Sequence, residues 1–180
     1  MRITKENTVG LVIDLQERLV PAMEDNELLV KNCGILIQGL QEFNLPLIVT
    51  QQYTKGLGET IEEIKSLIPT VGYFEKKDFS CFDVPEVVSV LQEKAAKNVI
   101  ICGIESHVCV LQTAVDLKAA GYNPVVVMDC VSSRSFDNID LAAERFRFEG
   151  IMMTSYESIL FELTRSAGAP EFKAISKLVK

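Results

Sequence analysis

An acid, an amine and a thiol stand at three separate points of this sequence, each close behind a short apolar run. They are Asp14 in Val12-Ile13-Asp14-Leu15-Gln16, the pair Lys76-Lys77 after Val71–Glu75, and Cys109 in Gly103-Ile104-Glu105-Ser106-His107-Val108-Cys109. Such a set suits nucleophilic catalysis, in which a thiolate attacks while a neighbouring carboxylate or ammonium takes its proton or steadies its charge. With Ser106 as the cap of a following helix, Cys109 falls in the first helical turn, where unpaired amides and the helix dipole favour a thiolate. Taken alone, Cys109 would count as a packing residue; its partners make it a candidate nucleophile.

The five cysteines, Cys33, Cys81, Cys102, Cys109 and Cys130, are odd in number and contain no CxxC pair. That excludes complete pairing within one chain and supplies no zinc-finger spacing. The four besides Cys109 read as small buried hydrophobes. The one histidine, His107, lies two residues before Cys109. Residues two apart on a helix do not face each other, so His107 reads as a helix-start or packing residue rather than as the base. Without a second histidine or a carboxylate cluster, no metal site is expected.

Weaker candidates lie near the same apolar runs. Gln51-Gln52-Tyr53-Thr54-Lys55-Gly56-Leu57-Gly58 suits either a rim segment or an ordinary glycine-containing loop. Arg134, in Ser132-Ser133-Arg134-Ser135, could hold an anionic group or a structural carboxylate. Phe79 and Phe82 could wall an apolar pocket or pack in the core. Gln16, Gln52, Tyr53, Phe79, Phe82 and Ser106 are taken together as candidate pocket residues.

The elements that must position these groups alternate along the chain. Short, β-branched runs at Val9–Ile13, Leu47–Thr50, Val71–Glu75, Val99–Cys102, Val125–Met128 and Ile151–Thr154 predict strands. Amphipathic stretches at Leu28–Phe43, Pro85–Lys94, Val108–Ala120, Asn138–Glu149, Ser158–Arg165 and Glu171–Val179 predict helices. Pro85 suits a first helical turn, and Gly121 and Gly150 suit helix stops. Strand–helix alternation with short links predicts an α/β fold, a three-layer α/β/α sandwich around a mostly parallel six-stranded sheet. In such a sheet ligands bind beyond the carboxyl ends of the strands, which puts Asp14, Lys76 and Cys109 on one rim.

Composition narrows the partners. A hydrophobic share of 48% with 24% charged residues fits a single globular domain over residues 1–180. The net charge of −7 argues against nucleic-acid binding. No apolar run approaches a membrane span, and no secretory leader is evident, so a cytoplasmic location without membrane association is expected.

At the level of motifs the chain resembles the isochorismatase-like cysteine hydrolases. Val9 to Gln16 is similar to that family's hydrophobic-then-Asp-x-Gln opening, Lys76 to Phe82 to its Lys-x-x-aromatic-Ser-x-Phe segment, and Gly103 to Val110 to its nucleophile motif. Thr50–Gly58, Asp129–Ser135, Phe161-Glu162-Leu163 and Phe172-Lys173 resemble the subgroup of isochorismatase domain-containing proteins. The resemblance implies a catalytic triad of Asp14, Lys76 and Cys109, with Lys76 chosen over Lys77 because it stands four residues before Ser80. It also implies a cis peptide at Ile104–Glu105, with the backbone amides of Glu105 and Cys109 turned toward a developing oxyanion. The implied reaction is hydrolysis of a small amide-like or related C–N substrate through a covalent thioester, without a cofactor. Where nicotinamidases carry metal-binding Asp and His, this chain has Gln51-Gln52-Tyr53, so nicotinamide is not the expected substrate. Relatives commonly assemble, so a homo-oligomer, a dimer or larger, is expected. Two other classes remain open: a binding protein that keeps the fold with little catalysis, and a thiol-based redox protein using Cys109.

Overall fold

The computed structural model describes residues 1–180. In chain order the elements are β1 (Thr8–Ile13), α1 (Asn26–Glu42), β2 (Leu47–Gln52), α2 (Thr54–Leu57), α3 (Glu62–Lys65), β3 (Tyr73–Lys76), α4 (Pro85–Glu93), β4 (Asn98–Ile104), α5 (Leu111–Ala119), β5 (Asn123–Ser132), α6 (Phe136–Glu149), β6 (Met152–Thr154), α7 (Tyr156–Thr164) and α8 (Phe172–Leu178). The six strands form one sheet in the order β3-β2-β1-β4-β5-β6. Every neighbouring pair is parallel, so the expected "mostly parallel" sheet is in fact entirely so. An isolated antiparallel bridge, Gln16 to Thr60, lies outside the strands.

Alternation along the strands explains the layers. Val9, Leu11 and Ile13 of β1 and Val99 and Ile101 of β4 face a cluster built with α4, α5 and α6. Val12 of β1 and Ile100, Cys102 and Ile104 of β4 face the opposite cluster, built with α1, α3, α7 and α8. Successive side chains of a strand point to opposite faces, so a strand covered on both reads as a continuous apolar run. β1 and β4 are buried at every position.

Several boundaries differ from expectation for local reasons. Both α6 and α7 begin two residues earlier than their apolar patterns suggest. Ser135 accepts a hydrogen bond from the Asn138 amide and Ser155 from the Ser158 amide, so each serine caps its helix from outside. Gly150 ends α6 with φ of 64°, the left-handed stop that glycine adopts without strain. β3 is shifted to Tyr73–Lys76, so Lys76 is the last residue of the strand rather than the first beyond it. No helix is long and apolar enough to cross a membrane.

Candidate functional site

The carboxyl ends of β1, β3 and β4 converge on one buried cluster. Asp14 follows β1 directly, with a left-handed φ of 52° that turns the chain out of the sheet. Its carboxylate is fully buried, and Oδ1 accepts a hydrogen bond from Thr50 Oγ1 at 2.8 Å. Oδ2 lies 2.7 Å from Lys76 Nζ. Lys76, the last residue of edge strand β3, extends inward, whereas Lys77 just beyond the strand is exposed.

The Lys76 ammonium is held from all sides. It donates to Gln52 Oε1 at 2.5 Å, to the carbonyls of Asp78 and Phe79 at 3.3 and 3.2 Å, and to Cys109 Sγ at 3.5 Å. Burial works against its charge, but Asp14 and the nearby thiols more than compensate and hold its pKa above the usual lysine value. Burial pushes the Asp14 pKa up, and Lys76 opposes that shift. The pair is therefore a buried ion pair with a thiol beside it.

Cys109 is carried differently from the sequence expectation. Residues Ser106–Val110 form a π turn before α5, and Ser106 makes no capping hydrogen bond. Its hydroxyl is buried with no partner in the protein. Cys109 accordingly lies in the π turn that precedes α5 rather than in the first turn of that helix. Burial, then the Asp14 charge, push the Cys109 thiol up to about 12, while Lys76 pulls in the opposite direction. The dipole argument is outweighed because removing a thiolate from water costs more than the first turn of a helix returns.

The turn begins at an unusual backbone. Gly103 has φ of 116°, and a Cβ there would fall 2.0 Å from the Ile13 carbonyl oxygen. Only glycine lets β4 approach the end of β1 so closely, immediately beside Asp14. The Ile104–Glu105 peptide is cis. The Glu105 carbonyl accepts from Val108 N at 3.1 Å and Val110 N at 3.2 Å, while the Glu105 amide donates to no group of the protein.

The remaining candidates divide. Gln52 bridges the Lys76 ammonium and, through Nε2, the Lys77 carbonyl at 2.7 Å. Gln16 is fully buried, and its side chain is committed to the Gln52 carbonyl, the Gly58 carbonyl and the Gln52 amide. It fixes the segment after β2 rather than presenting a free polar group. Tyr53 and Phe79 are about half exposed, at 49% and 52%. Phe82 packs on the α4–α5 side of the core and meets Tyr122 edge-on at 5.9 Å, so it belongs to the packing. Arg134 binds a carboxylate of the chain itself, with Nε 3.0 Å from Glu105 Oε2. His107 Nδ1 lies 2.9 Å from Ser133 Oγ, engaged away from the thiol.

Two residues of the cluster escaped sequence reasoning. Thr50 was inside a predicted strand; its register opposite Ile13 places it beside Asp14. Cys81, read as a packing cysteine, has its sulfur 3.7 Å from Thr50 Oγ1, and its backbone amide donates to Thr113 Oγ1. Burial pushes its thiol up to about 11. The other three cysteines are buried in the core, Cys33 donating to the Cys130 carbonyl at 3.3 Å. No group of three or more His, Cys, Asp or Glu side chains is arranged as metal ligands.

Comparison with known proteins identifies the family. The family model described as Isochorismatase domain matches residues 8–158. The secreted isochorismatase effector Isc1 of Phytophthora sojae (strain P6497) is 40% identical over 184 residues, covering 99% of this chain and 87% of that protein. Isochorismatase domain-containing protein 2 of Danio rerio is 34% identical over 180 residues, covering 99% and 89%. The solved structure of MAR1 ribonuclease from Caenorhabditis elegans matches with a TM-score of 0.94 and 35% identity, covering 99% of this chain and 92% of that one. With a family match running from β1 into α7 and relatives similar along almost the whole length, the chain belongs to the isochorismatase family.

Proposed function

We propose that this protein is a cysteine hydrolase acting on a small amide-like or related C–N substrate, with Cys109 as nucleophile, Asp14 as proton acceptor and Lys76 as the charge that steadies the thiolate. The observation that carries the reading is one buried ammonium shared between Asp14 Oδ2 at 2.7 Å and Cys109 Sγ at 3.5 Å.

A resting thiol held near 12 must lose its proton as it attacks. Transfer to Asp14 leaves a neutral carboxyl, an ammonium and a thiolate, so the net charge of the buried cluster does not change. That conservation matters in a site where an uncompensated charge is heavily penalised. The sulfur then bonds to the carbonyl carbon, and the carbonyl electron pair moves to oxygen, facing the amides of Glu105 and Cys109. Collapse expels the amine or ammonia, which takes the proton from Asp14. Water attacks the resulting thioester, Asp14 accepts its proton, and the acid leaves as the thiol is restored.

The same observations weigh against the alternatives. A thiol redox sensor needs an accessible thiol of low pKa, and Cys109 is neither. The ribonuclease name belongs to the nematode relative; 25 acidic against 18 basic residues here give little purchase on a phosphate backbone. The reading includes one domain, assembly of identical subunits and a cytoplasmic setting. Exposed Leu141 and Phe148 on α6 support self-association, and five unpaired cysteines support a reducing compartment. The test is an amide screen on purified protein with Cys109→Ala and Asp14→Asn beside it. Loss of turnover in both is expected; full turnover of a confirmed substrate by either variant overturns the mechanism.

A further inference from the structure

The turn that carries Cys109 is cross-linked twice to the loop beyond β5, and neither link is used by the reaction above. We propose that Arg134, acting through Glu105, is a positioning residue for the oxyanion-binding amide. The inference rests on the cysteine-hydrolase reading and deepens it.

Three parts of Glu105 do three different things. Its carbonyl starts the π turn by accepting from Val108 N and Val110 N, and its amide is left without a partner. Its side chain is the handle: Oε2 accepts from Arg134 Nε at 3.0 Å and from Arg134 N at 3.2 Å. A two-point contact on a single oxygen fixes direction as well as distance. The residue whose amide meets the oxyanion is thus held by its side chain against the loop beyond β5.

The loop on the other side of the handle is itself anchored. Ser132 Oγ donates to the Glu24 carbonyl at 2.7 Å, and the Glu24 amide donates to the Ser133 carbonyl at 2.9 Å. The second cross-link, His107 Nδ1 to Ser133 Oγ at 2.9 Å, joins the middle of the turn to the same loop. Anchor, loop and turn form a continuous frame running from the segment after β1 to the nucleophile. Arg134 is largely exposed, with 64% of its side-chain surface accessible. The Glu105 side chain is only 14% accessible, so the contact joins a largely covered carboxylate to an exposed guanidinium and fixes where that carboxylate points.

Two reactions of Cys109 separate the positioning of an oxyanion donor from the reactivity of the sulfur. With p-nitrophenyl acetate the sulfur bonds to the ester carbonyl carbon, an oxyanion forms and p-nitrophenolate leaves, giving an acetyl thioester. With iodoacetamide the sulfur displaces iodide at a saturated carbon, and no oxyanion forms. Both rates would be measured on the intact protein at one pH, the second by peptide mass spectrometry of Cys109. Arg134→Ala and Glu105→Ala are each expected to slow acylation by about tenfold or more, since small displacements of a catalytic group are costly. Alkylation should stay near the wild-type rate, which also reports that the site is folded. Glu105→Gln keeps an acceptor for both Arg134 donors and should recover most of the acylation that Glu105→Ala loses. The double alanine variant should be no slower than the worse single one. Unchanged acylation in Arg134→Ala, or equal loss of both reactions, overturns the positioning role. A wild-type protein whose acylation matches Cys109→Ala overturns the hydrolase reading itself, a distinct result.

Discussion

Replacing Lys76 with methionine tests the central pair most directly. The substitution keeps an unbranched chain of similar length but deletes the charge 2.7 Å from Asp14 Oδ2, in a setting where both side chains are almost wholly inaccessible. Removing one partner of a buried pair costs about 3–5 kcal/mol when the remaining charge has no escape. Asp14 has an escape, which is to take up a proton. Burial already holds its pKa above the ordinary 3.8 and Lys76 is the leading opposing influence, so Lys76→Met raises it further. A carboxyl whose folded pKa lies above its unfolded one binds more protons in the native state. Its variant is therefore most stable in acid and loses stability as pH climbs from the unfolded value through the folded one, by at most about 1.4 kcal/mol per pH unit. Urea unfolding between pH 5 and pH 8, followed by far-UV circular dichroism because the chain has no tryptophan, measures this. Lys76→Met should weaken with rising pH relative to the double variant Asp14→Asn/Lys76→Met, which has no carboxyl to titrate. Parallel pH curves for the two variants would refute the reasoning.

Other expectations follow from the same geometry. Gly103→Ala places a Cβ against the Ile13 carbonyl at a φ of 116°, and should lower stability by about 3 kcal/mol or more in thermal unfolding. Cys109 alkylation should keep rising with pH through the range of ordinary thiols, because its thiol is pushed up to about 12. Asp14→Asn removes a charge that raises that value, so it should speed alkylation at fixed pH even as it abolishes the proposed hydrolysis. Phe148 is 85% exposed on α6, and Phe148→Asp should shift sedimentation toward smaller species if that face joins subunits.

Much of this site was legible because parallel sheets collect function at one edge. An apolar run followed by Asp14, another by Lys76 and a third by the Cys109 segment were enough to locate three groups on a common rim. Motif spacing selected Lys76, which is the buried lysine of the two, while Lys77 is exposed beyond the end of β3. The upward push on the Cys109 thiol was not legible. Position in a turn can be guessed from a sequence, whereas the desolvation that governs this thiol depends on everything packed around it. Thr50 was hidden for a similar reason: nothing within β2 distinguishes it until register sets it opposite Ile13. The roles of Gln16 and Gln52 also depend on long-range hydrogen bonds, which leave no local pattern.

The place of Lys76 on an outermost strand has a consequence for how the molecule assembles. β3 has only β2 as a neighbour in the sheet, yet its last residue supplies the counter-charge to a carboxylate at the end of central β1. A chain in which the inner strands have paired but β3 is still loose would carry Asp14 without its cation. Such partly docked states are raised in energy by the very groups proposed for chemistry. The edge of the sheet is thereby tied to its centre, and the buried Asp14–Lys76 pair doubles as a latch that closes when the last strand is seated.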